Sequence, residues 1–234
     1  MMPRKCLAFD LETASESMRN LSSRRGLGIT CAAVLAEDSA DPVMCFAGED
    51  SGSPTDQMDA DEAQRVVEHL QDYVDAGYTL LTWNGHGFDF KVLAEESGLT
   101  DACWDLSLNH IDMMFHVVCA KGFRVSLAAA SQAAGVGTKH QGMSGRDAPK
   151  FWKEGEHSKV MDYLRRDVEL TLKVAQEADR RRRFNWMTQR GKTGKMDLPQ
   201  GWLSVAEAWR LPEPDTSWMD DPQPRVDFYD WARI

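Results

Sequence analysis

Apolar positions along this chain switch between two periods. Lys5 to Asp10, Gly28 to Leu35 and Pro42 to Phe46 are short apolar runs that predict three strands. Asp59 with Glu62 three residues later has the form of a capping box, and Ala63, Val66, Val67, Leu70 and Val74 follow at helical spacing. A helix is therefore expected from about Ala60 to Ala76, stopped by Gly77. Tyr78 to Trp83 predicts a fourth strand running into a glycine-bearing turn, Asn84 to Asp89, after which Phe90 to Ser97 begins a helix. Leu108 to Ile111 predicts a short fifth strand ending at Asp112, with Met113 to Cys119 helical. Ser126 caps an alanine-rich helix that Gly135 ends, and Gly137 to Gly145 reads as a loop. From His157 to about Arg183 the pattern is continuously helical, with Val160, Leu164, Val168, Val174 and Ala178 on one side. The pattern as a whole predicts an α/β domain, with a mixed sheet of about five strands flanked by helices.

Beyond Arg183 the pattern changes. Residues 184–234 carry Trp186, Trp202, Trp209, Trp218 and Trp231 among many prolines, with one short helical signal at Ser204 to Arg210. This divides the chain into a domain over 1–183 and an extension over 184–234 packed on it, because the extension has too little non-aromatic apolar content for its own core. Composition narrows the function classes. With 42% hydrophobic and 27% charged residues the chain is ordinary for a globular protein. No apolar run has the length of a membrane span or a signal peptide, so a soluble cytoplasmic protein with no membrane partner is expected. Five scattered cysteines without a C-x-x-C pattern read as reduced core residues rather than a zinc site. A formal charge of −10 argues against non-specific coating of nucleic acid, but not against local binding of an end.

The candidate chemistry starts in the first predicted strand. Asp10 and Glu12 lie two residues apart and so share one strand face, where two anions call for a hard divalent cation such as Mg²⁺ or Mn²⁺. Asp89 follows the fourth strand and its turn, and Tyr163 and Asp167 lie one helical turn apart in the long helix.

Phe9-Asp10-Leu11-Glu12-Thr13, Asn84-x-x-x-Phe88-Asp89 and Tyr163-x-x-x-Asp167 resemble, in order and spacing, the three motifs of the DEDD superfamily of 3′→5′ exonucleases. The Tyr-x-x-x-Asp form marks the DEDDy branch, as in the proofreading domains of DNA polymerases and in ribonuclease D. In the DEDDh branch a histidine precedes the last Asp by five residues, and Asp162 stands there instead. The resemblance covers about residues 5 to 180 and takes in His110-Ile111-Asp112 and Lys139, which look like secondary features of polymerase-B-type exonucleases. It implies a ribonuclease-H-like fold and hydrolysis of nucleic acid to nucleoside 5′-monophosphates through two Mg²⁺ or Mn²⁺ ions, ~3.5 to 4 Å apart. DNA with single-stranded or frayed 3′ ends is the favoured substrate, and RNA is the other. By the resemblance Asp10 bridges both ions, Glu12 and Asp167 complete the nucleophile-side ion, Asp89 holds the other through water, and Tyr163 positions the attacking water. Tyrosine, with an ordinary pKa of ~10, is a poor base at neutral pH, which favours positioning.

Substrate contacts are expected from Thr13, Asn84, Phe88 and Lys139, and from Arg180 and Arg183 in a basic cluster that extends to Arg190, Lys192 and Lys195. The competing reading of that cluster is a solvated helix end, where cations suit the macrodipole. The tail tryptophans read as packing anchors, or as a docking point for a polymerase or DNA-repair protein. Two rival functions remain: a structure-specific ribonuclease-H-like endonuclease, and a silent exonuclease fold kept as a scaffold or nucleic-acid-binding module.

Overall fold

The computed structural model describes residues 5–15, 26–138, 142–229 and 231. Its organising strand is β1, Lys5–Thr13, which pairs antiparallel with β2 (Ile29–Ala36) and parallel with β4 (Tyr78–Thr82). With β3 (Val43–Phe46) beyond β2 and β5 (Ile111–Asp112) beyond β4, the mixed sheet has the order β3-β2-β1-β4-β5. Every residue of β2 is buried, as an apolar strand with both faces covered must be.

Two groups of helices flank the sheet. One comprises α1 (Ala60–Asp75), α2 (Asp89–Ser97) and α3 (Thr100–Asn109), which pack on one another. The other is led by α7 (His157–Arg181), which lies against β1, β2 and β4 and carries α5 (Leu127–Ala134) and α6 (Ala148–Lys153). Directly after β5 comes α4 (Met113–Lys121). The capping box is present, with the Asp59 carboxylate accepting from Glu62 N at 2.9 Å and Asp59 N donating to the Glu62 carboxylate at 3.0 Å. A cap of this kind is worth ~1 kcal/mol.

The structure differs from the sequence expectations in four places. β1 continues to Thr13, so Glu12 and Thr13 are strand residues. Leu108 belongs to α3, a helix of low amphipathic contrast, and the strand β5 starts only at Ile111. The six-residue α6 follows Asp147, with Pro149 in its first turn, in a segment too short to show a period. Beyond α7 the chain forms an unexpected hairpin, β6 (Arg183–Met187) and β7 (Thr193–Asp197), before α8 (Val205–Ala208), which lies where a short helix was expected. Arg182 makes the reversal with a left-handed φ of 51°. Phe184 and Trp186 of β6, with Met196, Leu198 and Trp202, enter the main core, while Val205, Ala208 and Phe228 pack with Met114, Phe115 and Val118 of α4. Arg225 fastens the end of the tail, donating to the carbonyls of Cys119, Trp209, Leu211 and Pro212. All five cysteines are free, and among the described residues no helix is long and apolar enough to cross a membrane.

Candidate active site

Alternation along β1 sends Phe9 and Leu11 one way and Asp10 and Glu12 the other. Phe9 packs on Phe90 of α2 with ring centroids 5.7 Å apart, which anchors the strand and leaves the two carboxylates on the side of α7. Asp89 is the first residue of α2, where a negative charge suits the helix N-terminus, and its Oδ1 accepts from Leu11 N at 3.2 Å. Tyr163 and Asp167, four residues apart in α7, present their side chains to the same space and are buried. Asp10, Glu12, Asp89, Tyr163 and Asp167 thus line one cavity of about 830 Å³, together with Thr13, Asn84 and Phe88.

The turn between β4 and α2 is held from below. Asp112 accepts from Asn84 N and His86 N, both at 3.0 Å, and from Phe115 N at 3.0 Å as the cap of α4. Gly85 N donates to Thr82 Oγ1 at 3.0 Å, and that hydroxyl meets His110 Nε2 at 2.8 Å. These bonds let Asn84 keep a left-handed φ of 78°, a conformation that asparagine tolerates better than most residues. Trp231 Nε1 donates to the His86 carbonyl at 2.8 Å, so the tail also touches this turn.

Burial dominates the electrostatics. It pushes the Asp89 carboxyl well above the ordinary carboxylate range, against hydrogen bonds from Asp10 and Leu11 N that pull it down, while the Asp112 charge adds to the rise. The Asp10 and Asp89 carboxyls interact directly, and burial is the larger effect on Asp89. Burial also raises Asp112 to about 6 despite its backbone donors. It lowers His86 and His110 each to about 3, keeping both imidazoles neutral. His86 is enclosed by Trp104, Phe115, Tyr229 and Trp231, which makes it a structural residue.

The family model of the RNase_H superfamily matches residues 42–177, more than half of the chain. The chain belongs to this superfamily. The matched segment begins after β1, so Asp10 and Glu12 lie outside it. The chain is also similar to the family B DNA polymerase from the hyperthermophilic archaeon Pyrobaculum calidifontis, at 17% identity with a TM-score of 0.55. That likeness covers 75% of this chain and 24% of the polymerase, so the chain spans about a quarter of the length of that protein, and at this identity the likeness is one of fold. No match is found among curated proteins. The mixed five-stranded sheet with flanking helices is that of an RNase_H-like fold.

In this RNase_H-superfamily chain the two expected arginines do not reach the cavity. Arg180 and Arg183 are absent from its lining; Arg180 pairs with Glu177 at 2.8 Å and Arg183 with Asp197 at 2.7 Å. The cause is local, since Glu177 stands one turn before Arg180 on the same helix and Asp197 faces Arg183 across the hairpin. Lys139 lies outside the described residues. Among the described residues the cations lining the cavity are Arg124, before α5, and Arg146, before α6, neither of which was expected. Gly145, next to Arg146, runs so near Glu12 that a Cβ there would stand 3.8 Å from Oε2.

Four carboxylates around one cavity form a donor set of hard oxygens, the type that suits Mg²⁺ or Mn²⁺ and not a soft metal. Among the described residues no three His, Cys, Asp or Glu side chains converge closely enough to hold a cation without side-chain movement. RNase_H-like nucleases in general use divalent metals, and the donor type here fits such ions. A second cavity, of about 680 Å³, carries Glu68, Asp72, Asp75 and Asp105 on α1 and α3, a lining that repels anionic substrates.

Proposed function

We propose that this RNase_H-superfamily chain is a metal-dependent 3′→5′ exonuclease of the DEDDy type, releasing nucleoside 5′-monophosphates from single-stranded or frayed 3′ ends, with DNA the favoured substrate. One observation carries the reading. Three segments far apart in sequence bring Asp10, Glu12, Asp89, Tyr163 and Asp167 to the lining of one cavity.

Asp10, Glu12, Asp89 and Asp167 would hold the divalent ions. When bound, such ions supply an activated water and neutralise charge on the leaving oxygen. The Tyr163 hydroxyl, carried by a rigid helix, orients the attacking water. Arg124 and Arg146 give phosphate a cationic contact that the acidic chain otherwise withholds. Phe88 offers an aromatic surface to the terminal base, and the Asp112-held turn fixes the position of Asn84.

The test offers a 5′-labelled single-stranded oligonucleotide with Mg²⁺ or Mn²⁺. Stepwise shortening from the 3′ end is expected, with at least ~100-fold loss in Asp10→Ala and Asp167→Ala. An intact oligonucleotide, or variants as active as wild type, would overturn the reading. Cleavage of a circular single strand would assign an endonuclease instead.

A further inference from the structure

A third cavity, of about 1060 Å³, lies between the β6–β7 hairpin, the residues preceding α5 and the segment around Trp218. It shares Arg124 and Ser126 with the carboxylate cavity, so the two are adjoining parts of one surface. We propose that this groove is the binding path for the single-stranded nucleotides lying 5′ of the reacting end. The proposal rests on the exonuclease reading for the position of the 3′ end.

Charge and rings both match that occupant. Lys121, Arg124, Arg190 and Lys195 line the groove, opposed by Asp220 and Asp221, on a chain whose formal charge is −10. The basic cluster after α7 is divided by function. Arg180, Arg181 and Arg183 are paired with Glu177 or Asp197, whereas among the described residues no ion pair joins Lys121, Arg190 or Lys195 to a carboxylate. Lys121 and Lys195 lie near enough to Asp197 to help lower its carboxyl, and the groove brings them together with Arg124 and Arg190.

The aromatic side is preorganised. Trp218 is 70% exposed, yet its Nε1 donates to the Asp215 carbonyl at 3.0 Å and its ring lies 6.4 Å from that of Phe123. Phe123 in turn meets Trp186 at 5.6 Å, edge to face, which ties the row of rings to the core. A large aromatic held in place with its face in water provides a stacking surface, and stacking tolerates any base. An acidic peptide would use the cations but gains nothing comparable from the exposed ring.

The experiment measures binding of oligothymidylates of about three and about ten nucleotides to the full chain in EDTA, by fluorescence anisotropy, for wild type, Trp218→Ala and the double variant Arg190→Ala/Lys195→Ala. Wild type is expected to bind the longer strand at least ~10-fold more tightly, and Trp218→Ala to lose about that factor on the longer strand alone. The double variant should flatten the dependence of log affinity on log salt by about 1.4, the value for two single-strand phosphates. Both variants should hydrolyse the short strand as wild type does, which also shows that they fold. Equal affinity for both lengths, variants that bind the longer strand like wild type, or equal displacement by polyglutamate would each overturn the proposal. If wild type hydrolyses neither strand, the exonuclease reading fails, while the length dependence in EDTA still decides whether the groove binds nucleic acid.

Discussion

Asp89→Asn separates what the site contributes to stability from what it contributes to chemistry. The amide is isosteric with the carboxyl. Its oxygen can keep the bond from Leu11 N, and its NH₂ can donate to Asp10 as the protonated acid does. Because burial raises the Asp89 pKa in the fold, the folded chain keeps a proton that the unfolded chain has already released. The stability this carboxyl contributes is therefore complete below the unfolded pKa of ~3.9 and is lost as pH rises through the folded value. A rise to about 7 amounts to ~4 kcal/mol at high pH. Urea unfolding in EDTA should show Asp89→Asn more stable than wild type by ~3 to 4 kcal/mol at about pH 8 and nearly equal to it at about pH 4. With Mg²⁺ at ~100 times its dissociation constant wild type should gain ~2.7 kcal/mol, and the variant less. Its hydrolytic activity should fall at least ~100-fold. A variant less stable than wild type at about pH 8 in EDTA would refute the burial argument.

Three further perturbations act on other parts of the site. Asp112→Ala strips the acceptor from Asn84 N, His86 N and Phe115 N, and thermal unfolding should register a loss of ~3 kcal/mol, with Asp112→Asn losing less. Arg146→Ala should raise KM for oligonucleotides about tenfold at low salt with little change in kcat, the gap to wild type closing as salt rises. His86 and His110 stay neutral in the fold to about pH 3 but charge in the unfolded chain near pH 6.5, so the stability they contribute is complete above ~6.5 and falls by ~1.4 kcal/mol per histidine for each pH unit below it. Replacing His110 by Gln should flatten the stability profile between about pH 4 and 6 by one such increment.

Whatever depends on local period and capping could be read from the chain. Asp59 and Glu62 delimit α1, Ser126 and Gly135 bracket α5, and the apolar side of α7 follows from spacing alone. The carboxylates were singled out by the resemblance to the exonuclease motifs, and the structure puts Asp10 and Glu12 in β1, Asp89 at the start of α2 and Asp167 on α7. Cations proved harder to place, because a long charged side chain takes whichever partner lies in reach. Glu177 could have been seen, as it precedes Arg180 by three residues and Arg181 by four. Asp197 could not be matched to Arg183 without the hairpin register. Arg124 and Arg146 show no period and stand in connecting segments, and only the packing of α5 on α7 and of α6 on β1 brings them to the cavity. The tail illustrates the same limit. Its tryptophans marked packing, and Trp186 and Trp202 do pack, but that Trp218 stays in water on a supported ring is a property of the folded hairpin and not of composition. In this chain, then, the motifs that supply the carboxylates follow local pattern, whereas their convergence on one cavity and the arrival of Arg124 and Arg146 there depend on tertiary contacts. Exchanging the cations should therefore alter which strands bind while leaving the carboxylate geometry intact.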